Sequence, residues 1–236
     1  MAAAREKERT KDWKDTKKPE AKKPETKKPS NPLGDPDEIG GAKRGEPMDR
    51  SAANEGHVNP DFGKVRGSTT NCQSCVVAYE ARLRGYDVKT KPNYNNPAAK
   101  DLSRKTYDAW IDPSTGEPPK MLRNEPTSGN WTWKKTKNFL EDNVKSGERY
   151  TFQHMWKGSR GAGHIVSVDR DSSGQLRIYD PQSGKTYTGS NADSYIKRTK
   201  GVSSVYGFKL PDLGLTRVDN MRINPKYANG IMEGLK

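Results

Sequence analysis

The chain has 236 residues, carries 43 Lys and Arg against 30 Asp and Glu for a formal net charge of +13, and is only 30% hydrophobic. With a mean hydropathy of −1.12, this mix lies below the usual globular composition, so part of the chain is expected not to pack. It excludes a membrane span, because no apolar run approaches the length needed, and a disulfide framework, because there are only two cysteines. Those cysteines and three scattered histidines also lack the second close-spaced ligand pair of a zinc site, so neither a metal nor a cofactor is expected. The excess of positive charge suits an acidic partner, whether nucleic acid, a membrane surface or an acidic protein, without choosing among them.

Residues 1–32 repeat Lys17-Lys18-Pro19-Glu20, Lys22-Lys23-Pro24-Glu25 and Lys27-Lys28-Pro29. Proline at this frequency breaks helices and strands, and the lysines repel one another, which predicts a solvated, extended tail. It reads either as a basic arm for nucleic acid or another acidic surface, or as a plain linker whose Glu20 and Glu25 dilute the positive field. Met1-Ala2-Ala3-Ala4-Arg5 leads into charge instead of a signal-peptide core, so a soluble protein without a classical signal peptide is expected. Residues 33–66, rich in Gly, Pro, Asp and Asn, read as a linker or strap with Val58, Phe62 and Val65 as its anchors.

A folded domain is predicted over 67–223. Thr70 or Asn71 supplies a side-chain oxygen to cap a helix starting at Cys72, and Cys72, Val76, Tyr79 and Leu83 recur at the spacing of one helical face. Gly85 suits its left-handed end. A short strand follows at 86–90, then a Pro- and Asn-rich region with a helical turn at 102–110, and a second helix at 131–144 that Gly147 stops. Residues 149–157 alternate as a strand with Tyr150, Phe152, His154 and Trp156 on one side, and a glycine-rich loop at 158–163 delivers the chain to His164. Residues 165–168 form a strand, 169–174 are turn material, and 176–179 form the returning strand. Pairing Val168 with Leu176 and Val166 with Ile178 sets His164 opposite Asp180, with Cβ atoms roughly 5 Å apart. A turn at 181–184, a short helix at 191–198 and strands at 203–210 and 217–221 complete the domain, before a loose C-terminus at 224–236. A helix followed by mostly antiparallel strands is an α+β layout.

Nucleophilic catalysis by cysteine needs a thiolate, a base that later returns the proton, and a group that orients the base. A first-turn cysteine lies at the positive end of the helix dipole among unpaired N–H groups, which favours the thiolate. Cys72, His164 and Asp180 fit these three roles. Backbone N–H groups at the helix start, with Asn71, Gln73 or Gln182, are the donors for a developing oxyanion or for orienting a substrate. Cys75 is the rival nucleophile, ranked below Cys72 because it lies farther from the cap and beside Ala78 and Tyr79. Neither His57 nor His154 has an acidic residue opposite it in any register the sequence permits.

The stretches Asn71-Cys72-Gln73-Ser74-Cys75-Val76, Arg84-Gly85-Tyr86-Asp87-Val88, Gly163-His164, Asp180-Pro181-Gln182-Ser183-Gly184 and Arg217-Val218-Asp219-Asn220 together resemble the papain-fold toxin family of glutamine deamidases. Domains of that family stand at the C-termini of bacterial polymorphic toxins and of some phage head-morphogenesis proteins. The resemblance spans roughly 59–221 and implies a papain-like fold, a triad on Cys72, His164 and Asp180, and hydrolysis of a glutamine side-chain amide on a target protein. It further implies an immunity protein as partner and the cytoplasm of a producing or target cell, or a phage particle, as location. Which of the two thiols reacts stays open. Two other functions fit the same residues: a papain-like peptidase, and a basic nucleic-acid- or phage-associated binding protein with an inactive triad.

Overall fold

The computed structural model describes residues 31–54, 56–123, 132–158, 162–200, 204–205, 208–209 and 213–235. The predicted tail, up to residue 30, lies outside the described residues, as do the centre of the 158–163 loop and half of the strand expected at 203–210. In chain order the main elements are helix α1 (Cys72–Leu83), strand β1 (Val88–Thr90), helices α2 (Pro97–Leu102) and α3 (Trp133–Asn143), and strands β2 (Tyr150–Trp156), β3 (Gly163–Arg170), β4 (Leu176–Asp180) and β5 (Lys185–Thr188). Helix α4 (Gly189–Arg198), strand β6 (Leu213–Arg217), helix α5 (Pro225–Ile231) and strand β7 (Met232–Gly234) follow.

Helix α1 runs through the centre of one half of the fold, with ten of its twelve residues buried. The single apolar face expected of it is therefore only part of the story, because β1, α2 and β3 all pack against it. Its end is as expected. Gly85 has φ +98°, the Tyr86 N–H donates back to the Ala81 carbonyl at 3.1 Å, and a Cβ at 85 would lie 2.3 Å from the Gly45 carbonyl oxygen.

Strands β2 to β5 form an antiparallel meander, extended beyond β2 by β6 and Leu122–Arg123, with Thr199–Lys200 also pairing with β2. Alternation along the strands feeds two cores. Ile165 and Tyr179 face α1, where the Tyr79 and Tyr179 rings meet with centroids 4.4 Å apart. Phe152, Val166, Val168 and Ile178 face α3 and α4 and meet Leu140, Val144, Tyr195 and Ile196. The sheet is thus covered on both sides, which fixes which side chains can emerge at its end.

The β3–β4 hairpin differs from the expected register by two residues: Val168 pairs with Ile178 and Arg170 with Leu176. Strand β3 continues through Asp169, whose carboxylate takes both prongs of Arg177 at 2.7 Å. The turn starts only at Asp171, whose Oδ1 accepts from the Ser173 and Gln175 N–H groups at 2.9 and 3.0 Å. A shift of two preserves the faces, so His164 and Asp180 stay on one side as diagonal instead of direct neighbours. The strand expected at 217–221 instead runs Leu213–Arg217, ending where the expected one begins. There Asp219 Oδ1 turns back to accept from the Arg149 N–H at 3.0 Å.

Within the stretch 224–236, expected to be loose, residues 225–234 form α5 and β7. Strand β7 pairs with β1, setting Met232 opposite Thr90, and Tyr227, Ile231 and Met232 enter the α1 core. Pairing with a partner so distant in sequence left no local mark. At the other end Ile39, Ala53 and Val58 are buried in the same core, while Phe62 and Val65, at 43% and 45% exposed, are not anchors. Residues on both sides of 67–223 therefore contribute to one core. Buried charges tie these ends together: Glu80 accepts from Arg149 Nε at 3.0 Å, and Arg84 pairs with Asp35 at 3.0 Å while donating to the Val218 and Met221 carbonyls at 2.6 and 2.7 Å.

Candidate active site

Cys72 is the first residue of α1 and is 7% exposed. Its thiol donates to Gln73 Oε1 at 3.3 Å and lies close enough to His164 to help raise the pKa of that ring. The side-chain cap expected from Asn71 is not made. Asn71 instead donates from Nδ2 to Asn59 Oδ1, Thr90 Oγ1 and the Lys91 carbonyl at 3.2 to 3.4 Å, and is itself buried. The cap comes from far along the chain. The Gln182 carboxamide lies 3.0 Å from the Cys72 backbone nitrogen and 3.1 Å from that of Asn71, and two converging N–H donors require its oxygen there. One acceptor, Asn71 Oδ1 at 3.2 Å, competes for the Gln182 amide, and two donors outweigh it.

His164 stands near the start of β3, and Asp180 at the end of β4, so both reach the rim of the sheet where α1 begins. His164 Nε2 is 3.2 Å from Asp180 Oδ2, which leaves Nδ1 as the ring nitrogen for the sulfur. The carboxylate is held in turn by the chain that follows it: Oδ1 accepts from the Gln182 N–H at 3.0 Å and Oδ2 from the Ser183 hydroxyl at 2.7 Å. Trp156 stacks on the imidazole, centroids 5.5 Å apart and planes 24° apart. Both His164 and Asp180 are 8% exposed, so water screens the pair little.

Burial alone would lower the His164 pKa, but hydrogen bonds to Asp180 and Cys72, and the charges on both, lift it to about 9. Burial likewise works to raise Asp180, and its hydrogen bond to His164 and the imidazolium charge outweigh this, leaving it below the usual carboxylate value. Cys75 is different. It has no exposed surface, its thiol faces Thr90 Oγ1 at 3.8 Å, and burial, then the neighbouring Cys72, push it well above the ordinary thiol value. The geometry therefore separates the two cysteines, one at the rim beside the imidazole and one in the core.

Of the residues singled out in the sequence, the fold gathers Cys72, His164, Asp180, Gln73 and Gln182, and turns the Asn71 amide into the buried network beneath them. Three contributors were missed. His154 pairs directly with His164 across β2 and β3, its ring 5.8 Å away and its Nε2 2.8 Å from the Tyr195 hydroxyl. Burial, then His164, drive its pKa down to about 3, so it stays neutral. The alternation read along β2 held the signal for His154 and Trp156, had the pairing argument been carried across the 158–163 loop. Asn59 donates to the Gln182 carbonyl at 2.9 Å and so steadies the turn after Asp180; nothing local marked it. Among the described residues, no group of three or more His, Cys, Asp or Glu gathers at metal-binding distance.

A helix-borne thiol meeting an imidazole–carboxylate pair at the rim of an antiparallel sheet is the constellation that nucleophilic cysteine hydrolysis requires. Residues 70–185, which contain Cys72, Cys75, His164 and Asp180, match the family described as papain fold toxin 1, glutamine deamidase. A comparison with curated proteins finds no match. Among the described residues no helix is long and apolar enough to cross a membrane.

Proposed function

We propose that the chain is a cysteine-dependent protein-glutamine deamidase acting as a toxin or effector. The observation that carries this reading is the contact of His164 Nε2 with Asp180 Oδ2 at 3.2 Å, beside Cys72 and within the family segment. The Cys72 thiolate attacks Cδ of a target glutamine, and the carbonyl electron pair moves onto oxygen. The Cys72 N–H stabilises that oxyanion, joined by the Gln182 amide once a half-turn presents its NH2. As the oxyanion collapses the C–N bond breaks, and His164 gives its proton to the departing ammonia. Water then adds to the thioester while His164 takes its proton, the C–S bond breaks, and glutamate leaves.

Asp180 keeps the proton on Nε2 so that Nδ1 faces the sulfur, and Gln73 orients the thiol. Cys75 stays a core residue. The target is a protein with an accessible glutamine, and an immunity protein covering the site is the matching partner. The test compares the protein with its Cys72→Ala form on expression, and looks for a mass gain of about one dalton on a host protein as NH2 is exchanged for OH. Only the unmodified chain should be toxic and produce the gain. Equal toxicity of both forms would remove Cys72 as nucleophile, and host-protein fragments in place of the mass gain would make the enzyme a peptidase.

A further inference from the structure

The chemistry above leaves one wall of the site unused. Trp156, His164, Asp180 and Lys185 stand on four successive strands, β2 to β5, toward the same end of the sheet. Helix α4 lies over that end, and its last residue, Arg198, sets its guanidinium 5.2 Å from the Tyr195 ring, 5.5 Å from Trp156 and 6.0 Å from Tyr187. Trp156 is the ring that stacks on His164, so Arg198 is one aromatic layer from the imidazole. Between β5 and α4 opens a cavity of about 470 Å³ lined by Lys185, Tyr187, Asn191, Ser194, Tyr195 and Arg198.

The lining contains two cations and no acid. Several arginines elsewhere are paired with carboxylates, as Arg50 with Asp169, Arg170 with Glu141 and Arg217 with Glu148. Neither Lys185 nor Arg198 has an acidic partner among the described residues, and both are exposed. Three rings hold the guanidinium by cation–π contact, which lowers the entropy lost when it binds and leaves its N–H fork free for a planar anion. Asn191 and Ser194 add neutral donors. A carboxylate is the side-chain group such a fork takes in two parallel hydrogen bonds.

We propose that this pocket is a subsite for a side-chain carboxylate of the target, so that the glutamine presented to Cys72 has an Asp or Glu close to it. The proposal rests on the deamidase reading, and the experiment keeps the two apart. The full chain is given peptides with one glutamine in a neutral frame, carrying a single Glu, Ala or Lys at each of the three positions on either side. Ammonia release and the mass gain are read for each. At the best position Glu should exceed Ala about tenfold in kcat/KM, chiefly through KM, and the advantage should shrink with added salt.

In Arg198→Ala the Glu-to-Ala ratio should fall close to one, Arg198→Lys should keep part of it, and Arg198→Glu should turn the preference toward Lys. Unchanged melting midpoints would show that these variants fold. Equal turnover of Glu and Ala peptides at every position overturns the subsite alone, as does a Glu preference that survives in Arg198→Glu. Failure to deamidate any peptide or any protein of a lysate overturns the reading beneath it.

Discussion

In an Asp180→Asn variant the side chain keeps its shape, and Oδ1 still accepts from the Gln182 N–H at 3.0 Å, but the atom facing His164 Nε2 at 3.2 Å carries no charge. His164 is held at about 9, against an ordinary 6.5 and against the downward pull of burial, by hydrogen bonds and charges from both Asp180 and Cys72. That rise corresponds to roughly 3 kcal/mol in favour of the imidazolium. Asp180 heads the upward contributions while burial stays to oppose them, so its loss should withdraw more than half of that net rise, on the order of 2 kcal/mol or more, and let the ring titrate well below 9. Histidine ring signals followed by NMR across pH 5 to 10, as a titration range of about five units, read this directly. Ammonia release should fall on the order of 10² to 10⁴-fold, because the neutral amide no longer fixes the tautomer. If His164 still titrates near 9 in the variant, the carboxylate is not the source of its basicity, and the assignment of Asp180 as the orienting group is wrong.

Glu80→Gln leaves Arg149 and Arg84 facing a neutral amide in a buried site and should cost about 3 to 5 kcal/mol in urea unfolding. An unmoved midpoint would show that these pairs are stability-neutral. Gly85→Ala meets both a left-handed φ of +98° and the Gly45 carbonyl oxygen at 2.3 Å. It should lower stability by about 3 kcal/mol or more, against about 1 kcal/mol for Gly116→Ala, whose φ is +76° with nothing in the way. The pH profile of stability follows from the two histidines, and their signs oppose. His164 is raised to about 9, so its contribution is full below pH 6.5 and is lost as pH climbs through 9. His154 is depressed to about 3, so its contribution is full above pH 6.5 and is lost as pH falls toward 3. Denaturant titrations should therefore give a maximum near pH 6.5, and His164→Gln should flatten the alkaline limb; an unaltered limb would remove His164 as its cause.

Helix α1 and its Gly85 end are legible in the sequence because their signals lie within a few residues of one another. The β3–β4 hairpin is legible because Val166, Val168, Leu176 and Ile178 alternate, and the two-residue error in its register does no harm, since a strand repeats its faces every second residue. What the sequence hides is long-range. The helix cap comes from Gln182, 111 residues after Asn71, and the partner of β1 comes from residues 232–234, far away in sequence. Glu80 looks like an ordinary helix acid until Arg149 is brought to it. Asn71, a favoured capping residue by type, is diverted because Asn59 and Thr90 offer its amide buried acceptors.

His164 and Asp180 are joined by the hydrogen-bonded ladder of β3 and β4, whereas Cys72 arrives on a helix that meets the sheet through side chains, among them the Tyr79–Tyr179 ring pair. The two halves of the site thus differ in how they come apart. A ladder resists stretching, but a helix can slide over rings, and a displacement of about 1 Å at a reacting centre costs on the order of 10²-fold in rate. An inhibitor wedged under the first turn of α1 would silence the sulfur without covering it, and a cell defending itself has the same option.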